Sequence, residues 1–231
     1  MSLWTALTES LRLLTSGDAE VLRIVLLSLA VSGAALVISS AFAIPFGLWL
    51  AFRRFWWKRT IMAFLYTGVG LPPVLVGLVV YLMLSRSGPL GWLGWLYTPE
   101  AMVLAQIVIS FPIIASLTMA AVMSVDSSLR SQVLSLGASD VQAGLAVLKE
   151  AKVGVVIALV AGFGSVISEV GAVMMVGGNL KGSTQVLTTA IVQFTRMGQF
   201  EHALALGLVL LSITFMVALM WLTLQGRRLE D

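Results

Sequence analysis

The chain has 231 residues, 59% hydrophobic and 11% charged, with a mean hydropathy of +1.01; soluble domains carry about 25% charged residues, so an integral membrane protein is predicted. The net charge is +3, and the basic residues stand in short gaps between apolar runs, a pattern that encodes membrane topology and speaks against nucleic-acid binding. There is no cysteine and one histidine, His202, which excludes a disulfide framework, thiolate chemistry and a histidine-rich metal site.

In chain order, the opening "MSLWTALTESLRLLTSGDAE" lacks a basic start and a continuous apolar stretch, so it does not read as a cleavable signal. Leu3, Trp4, Leu7, Leu11 and Leu14 recur at helical spacing between polar residues. Residues 1–21 are therefore predicted to form a short amphipathic helix along the membrane surface. Residues 22–231 form the membrane domain. A span needs about 20 apolar residues, and five are predicted. Leu22–Phe52 is one long, tilted helix carrying Pro45. Thr60–Leu84 contains Pro72 and Pro73, which neighbouring helices make tolerable. Glu100–Met123 contains Pro112. Val153–Val176 and His202–Leu224 complete the set.

Five spans put the termini on opposite sides. With the gap "RRFWWKR" inside, Arg53, Arg54, Lys58, Arg59, Arg130, Lys149, Lys152, Arg227 and Arg228 are inside, nine of fourteen basic residues. The positive-inside rule then places the N-terminus outside and the C-terminus in the cytoplasm. Trp56 and Trp57 fall at the inner interface, and Trp92, Trp95 and Tyr97 at the outer one.

The longest hydrophilic gap runs from Ser124 to Lys152. Leu129, Val133 and Leu136 space as one helix face, and Gly137 is placed to end that helix. Ser139 is placed to cap a second helix carrying Val141, Leu145 and Leu148. Two short helices meeting at a glycine make either a compact knob for a partner or an ordinary surface hairpin.

Further on, "SEVGAVMMVGGNLKGST" puts Glu169 in an apolar run, at a cost of about 2.5 kcal/mol or more on insertion scales. Ala161, Ser165, Ser168 and Ala172 share one helical face, and Gly164, Ser168 and Gly171 an overlapping one; small residues of this kind allow close helix contact. The carboxylate is expected to face protein or water, as a structural or gating partner of hydroxyls and backbone N–H groups. The turn with Gly178, Asn179, Lys181, Gly182 and Thr184 leads into a short helix from Gln185 to about Thr195, with Ser183 or Thr184 as cap. Three readings stand for it: a place where an anion passes beside Lys181 and a helix N-terminus, a docking place for a donor protein, or a glycine turn only.

The gap around Gly137 resembles the cytoplasmic loop of permease subunits in ATP-driven (ABC) importers. Ser131-Gln132-Val133, three residues, then Gly137 fall in the register of the family's Glu-Ala-Ala and glycine, although the Glu-Ala-Ala itself is absent, as is the Leu-Pro that often follows. The later stretch is similar to permeases for molybdate, sulfate and tungstate. Glu169, Gly171, Ala172, Gly178, Asn179, Gly182, Thr184, Leu187, Ala190 and Ile191 fall on the shared pattern. "EVGAVMMVGGN", "VLTTAIV" and "GLPPVLVGLVVYLMLSRSGPLG" look most like the tungstate branch.

The resemblance implies an all-α type I importer permease that carries an oxyanion as a homodimer. Its partners would be a second copy, two ATPase subunits, an extracytoplasmic oxyanion-binding protein and membrane lipid. ATP and Mg would sit on the ATPase, with no cofactor and no catalysis on this chain. The ATPase-docking tip would be Ser135, Leu136, Gly137, Ala138, Ser139 and Asp140, with Leu136 as its apolar anchor. A divalent oxyanion repels a carboxylate, so Glu169, with Ser168 and Gly171, is read as structural or gating rather than substrate-binding. Competing readings are a secondary transporter without an ATPase, which calls for inverted repeats, and an intramembrane hydrolase, which needs a nucleophile in reach of a base.

Overall fold

The structure is a computed structural model that describes residues 19–53 and 55–226. The predicted surface helix over residues 1–21 lies outside the described residues, except for its last three. These already belong to the first long helix, so the predicted boundary at Leu22 moves back to Ala19. The charged tail after Gly226 also lies outside the described residues.

Among the described residues the chain forms ten α-helices and one 3-10 turn at Gly91–Leu93. Helix α1 is Ala19–Phe52, one element of 34 residues with Pro45 inside it. At 1.5 Å per residue it is about 51 Å long, well beyond a bilayer's about 30 Å of hydrocarbon. Ser28, Val31, Ser32, Ala35, Ser39, Ala43, Gly47 and Leu50 recur at three- and four-residue spacing as its buried face. That face packs on α4, Pro99–Met123, and small residues let the two come close. A Cβ on Gly47 would sit 2.6 Å from the Ala115 carbonyl oxygen.

The predicted span Thr60–Leu84 is corrected. It is two helices, α2 (Lys58–Val69) and α3 (Pro73–Leu84), bent by 102°. Leu71 and Pro72 each precede a proline and are driven away from helical backbone; Pro72 has ψ 119°, and Pro73 opens α3. Lys58 stacks no extra turn on α1 but closes it, its Nζ donating to the Ala51 carbonyl at 3.1 Å. Helix α4, opened by Pro99, is the central element and packs most extensively on α1 and α7.

The hydrophilic gap forms α5 (Ser127–Ser135) and α6 (Asp140–Glu150). A single residue, Ala151, separates α6 from α7 (Lys152–Ile167), and the chain bends there by 74°. The predicted span Val153–Val176 is also corrected: α7 ends at Ile167, and α8 (Gly171–Gly177) starts after a break at Ser168–Val170. The small-residue face inferred from Ala161 to Ala172 does not run through that break. Helix α9 is Leu187–Arg196 and α10 is Phe200–Gly226.

By length and composition α1, α4 and α10 (over Phe200–Trp221) are each able to cross a membrane. The bent pairs α2–α3 and α6–α7 pass only together, giving up to five spans if each bent pair is one. One core gathers α1, α3, α4 and α8 around Met102, Val173 and Val176; a second gathers α1, α4 and α7 around Ile114, Ala115 and Met119.

Candidate functional site

The predicted site residues fall into three places: the break after α7, the glycine turn after α8, and the tip between α5 and α6.

At the break, Ser168 donates to the Gly164 carbonyl at 2.7 Å. Glu169 is 8% exposed. Its Oε1 accepts the Ala172 N–H at 2.9 Å, and its backbone oxygen accepts the Thr188 hydroxyl at 2.7 Å. The carboxylate thus satisfies an N–H at the start of α8, which a helix leaves unpaired. From α4, buried Gln106 donates through Nε2 to the Val166 carbonyl at 3.0 Å, while its Oε1 has no hydrogen-bond partner. Two carbonyls at the break thus accept side chains from elsewhere in the chain, that of Glu169 from α9 and that of Val166 from α4. Gly171 lets α3 approach: a Cβ there would lie 2.6 Å from Val74 Cγ2, and one on Gly77 would lie 2.6 Å from Ala172 Cα. Gln106, Thr188 and Gly77 were not predicted as site residues. Gln106 carried a signal, as a lone amide in the apolar run from Ala101 to Ile114.

The glycine turn is held by its own polar groups. Gly178, Asn179 and Gly182 have positive φ (71°, 50° and 79°), a backbone that costs glycine little. Thr184 is fully buried; it donates to the Gly177 carbonyl and accepts the Leu180 N–H at 2.9 Å. Asn179 and Gln185 both donate to Gln193 Oε1, at 2.7 and 2.6 Å. The predicted cap of the next helix is corrected: α9 starts at Leu187 rather than Gln185, and Thr184 closes the turn. The Leu187 N–H donates to Ser28 Oγ on α1 at 2.8 Å, so this N–H is already paired within the chain. Lys181 is exposed and pairs with Glu20 at 2.9 Å. Arg23 also reaches the turn, its Nη1 3.3 Å from where a Gly182 Cβ would stand. The Tyr97 ring lies against Gly178, and its N–H donates to the Val176 carbonyl at 2.9 Å.

At the tip, Ser135 closes α5 by donating to the Gln132 carbonyl, and Gly137 turns the chain at φ +89°. Ser139 and Gln142 form a reciprocal capping box: Ser139 Oγ accepts the Gln142 N–H at 3.3 Å, and Gln142 Oε1 accepts the Ser139 N–H at 2.8 Å. At the start of α5, Asp126 accepts the Ser128 N–H, which holds its carboxyl below the ordinary carboxylate value. Leu136 is 87% exposed, with Ala138 half-buried beside it. Asp140 is ion-paired with Arg130, whose guanidinium lies 4.9 Å above the Phe52 ring. On α6, Ala143, Gly144 and Val147 are buried, while Val141 and Leu145 are exposed. Among the described residues no cluster of His, Asp and Glu could hold a metal ion.

Comparison with known proteins gives these features a setting. Residues 43–229 match the family described as binding-protein-dependent transport system inner membrane component. The chain is 44% identical to a probable anion ABC transporter permease protein of Haloferax volcanii, over 80% of this chain and 82% of that one. It is 42% identical to a tungstate uptake system permease protein of Peptoclostridium acidaminophilum, over 90% and 91%. Its fold superposes with a TM-score of 0.74 on a bacterial ABC transporter for import of the acidic polysaccharide alginate, at 20% identity, covering 93% of this chain and 82% of that chain.

Proposed function

The chain belongs to the family of binding-protein-dependent transport system inner membrane components, and from that premise we propose that it is the permease of an ABC importer for a tetrahedral oxyanion, tungstate in the first place. The observation that carries the substrate is the 42% identity to a tungstate uptake permease along nine-tenths of the chain. Molybdate or sulfate is the second reading, supported by likeness at 27–30% identity to permease proteins named for molybdenum and sulfate transport.

Two copies enclose the path. Two ATPase subunits, holding ATP and Mg, sit against the tips of the α5–α6 knobs, and an extracytoplasmic binding protein delivers the anion at the other side. The N-terminus is outside and the C-terminus in the cytoplasm, which keeps the knob inside. Leu136 is the anchor that enters the ATPase, with Ser135, Gly137, Ala138, Ser139 and Asp140 shaping the tip. Gly178, Asn179, Lys181, Gly182 and Thr184 form an outer turn beside the path, where Lys181 and Arg23 supply positive charge. Glu169, with Ser168 and Gly171, holds the break between α7 and α8 and so sets how the two move together. Tungstate is a dianion, and a carboxylate on its path repels it.

The decisive test is uptake by cells with and without the chain, offered tungstate, molybdate and sulfate separately and read by metal analysis for the first two and by radiotracer for sulfate. Uptake of tungstate at the lowest concentration is expected to depend on the chain. Uptake of none of the three, with the chain in the membrane, overturns the assignment.

A further inference from the structure

An open groove lies between α1 and α6, about 430 Å3 in volume. Ile44, Leu48 and Phe52 of α1 line one side, and Val141, Leu145 and Leu148 of α6 the other. Val141 and Leu145 are 72% and 56% exposed, unusual for aliphatic side chains on a hydrophilic hairpin. The polar members of the rim are Arg53, Arg130 and Asp140. Arg130 and Asp140 pair with each other, so the rim's net charge is that of exposed Arg53.

The groove continues into an exposed stripe on α1. Ile38, Phe42, Pro45, Trp49 and Arg53 follow at helical spacing and are all exposed. From Pro45 to Arg53 the helix rises about 12 Å, close to the about 15 Å that one leaflet contributes to the hydrocarbon core. An apolar stripe of that depth, ending in a guanidinium, is complementary to an acyl chain ending in a phosphate. Basic pockets between membrane helices take anionic headgroups in this way.

We infer that this groove binds one anionic phospholipid, its acyl chain along Trp49, Leu48 and Ile44 and its phosphate at Arg53, so that the lipid braces the knob against α1. The inference rests on the proposed topology only in assigning the lipid to the cytoplasmic leaflet.

The test uses the full chain in detergent, given phosphatidylglycerol and phosphatidylcholine with matched acyl chains in equal amounts. Retained lipid is read by native mass spectrometry. Phosphatidylglycerol is expected to be retained preferentially. Arg53→Gln is expected to lower that preference about five-fold, and Leu145→Trp, which fills the groove, to lower retention of both lipids. Equal retention by the unaltered chain, or a preference untouched by Arg53→Gln, overturns the site. Since the chain has no cysteine, Trp49→Cys in one copy and Leu145→Cys in another report on a competing occupant; efficient cross-linking between copies gives the groove to a second copy and overturns the lipid. Retention in detergent has no sidedness. A reversed topology therefore leaves the lipid result intact and is found separately, by thiol labelling of Ser135→Cys from either side of the membrane.

Discussion

Glu169 is held by what it accepts. The Ala172 N–H would be buried without a partner if the carboxylate were absent, and an unpaired buried donor costs about 1–3 kcal/mol. Glu169→Ala is therefore expected to lower stability in detergent by that amount. Glu169→Gln keeps an acceptor oxygen in the same place and is expected to lose about 1 kcal/mol, the difference between a charged and a neutral acceptor. The two variants also separate support from substrate contact. A structural carboxylate leaves the apparent KM for tungstate unchanged in Glu169→Gln, whereas removal of a repelling charge from the path lowers it. Thr184 makes a parallel case, since it is fully buried and bonded on both sides. Thr184→Val retains the shape and strands the Gly177 carbonyl and the Leu180 N–H, and a loss of about 2 kcal/mol is expected, read as a lower melting temperature. Lys181 differs, because its pair with Glu20 is solvent-exposed and worth at most about 1 kcal/mol. Lys181→Glu is expected to leave the melting temperature nearly unchanged while lowering uptake at low tungstate; unchanged uptake would return the turn to a purely structural part.

At the scale of elements, two glycines make opposite predictions. Gly77 faces the Ala172 backbone, and a side chain there meets Cα at 2.6 Å and the carbonyl oxygen at 3.2 Å. Backbone does not yield as a side chain does, so Gly77→Val is expected to separate α3 from α8 and lower stability by about 1–3 kcal/mol or more. Gly137 has open space around it but φ +89°, so Gly137→Val strains the tip alone. It is expected to leave the melting temperature of the membrane helices intact and to distort the turn, visible as faster proteolysis between α5 and α6. The same elements show what the sequence made legible. The knob was readable because its signals are local: Gly137 as stop, Ser139 as cap, and apolar spacing on each side. The two broken spans were less so. Hydropathy is equally high on both sides of each break, and only Pro72–Pro73 announced the first. The second is fixed by Thr188 and Gln106, from helices far away in the chain. Which face of α6 is buried is set in the same way from afar: small Ala143 and Gly144 lie against α1, with Leu48 Cδ2 3.5 Å from a Gly144 Cβ, and Val141 and Leu145 are left outside.

For the whole molecule, the question is how a push at the knob reaches the turn. Helix α6 passes into α7 through Ala151 alone, and Arg130 ties the knob to α1 through the Phe52 face. Helix α7 then runs about 24 Å to the break, where Glu169, Gln106 and Thr188 join α8, α4 and α9. A displacement of the knob therefore has a continuous packed route to the turn that carries Lys181. Leu136 stands at the start of that route, 87% exposed, at a tip whose backbone is fixed by the Ser139–Gln142 box. An exposed leucine on a rigid tip has the form of an interface anchor, and truncating such an anchor costs about 2 kcal/mol or more. Leu136→Ala is expected to leave insertion and melting temperature unchanged, because its side chain supports nothing within the chain, while ATPase recovered by pull-down falls at least about ten-fold. Lys181→Glu, at the other end, is expected to leave that pull-down intact. If Leu136→Ala retains both ATPase and transport, force does not enter through this tip, and coupling must be sought on another surface of the chain.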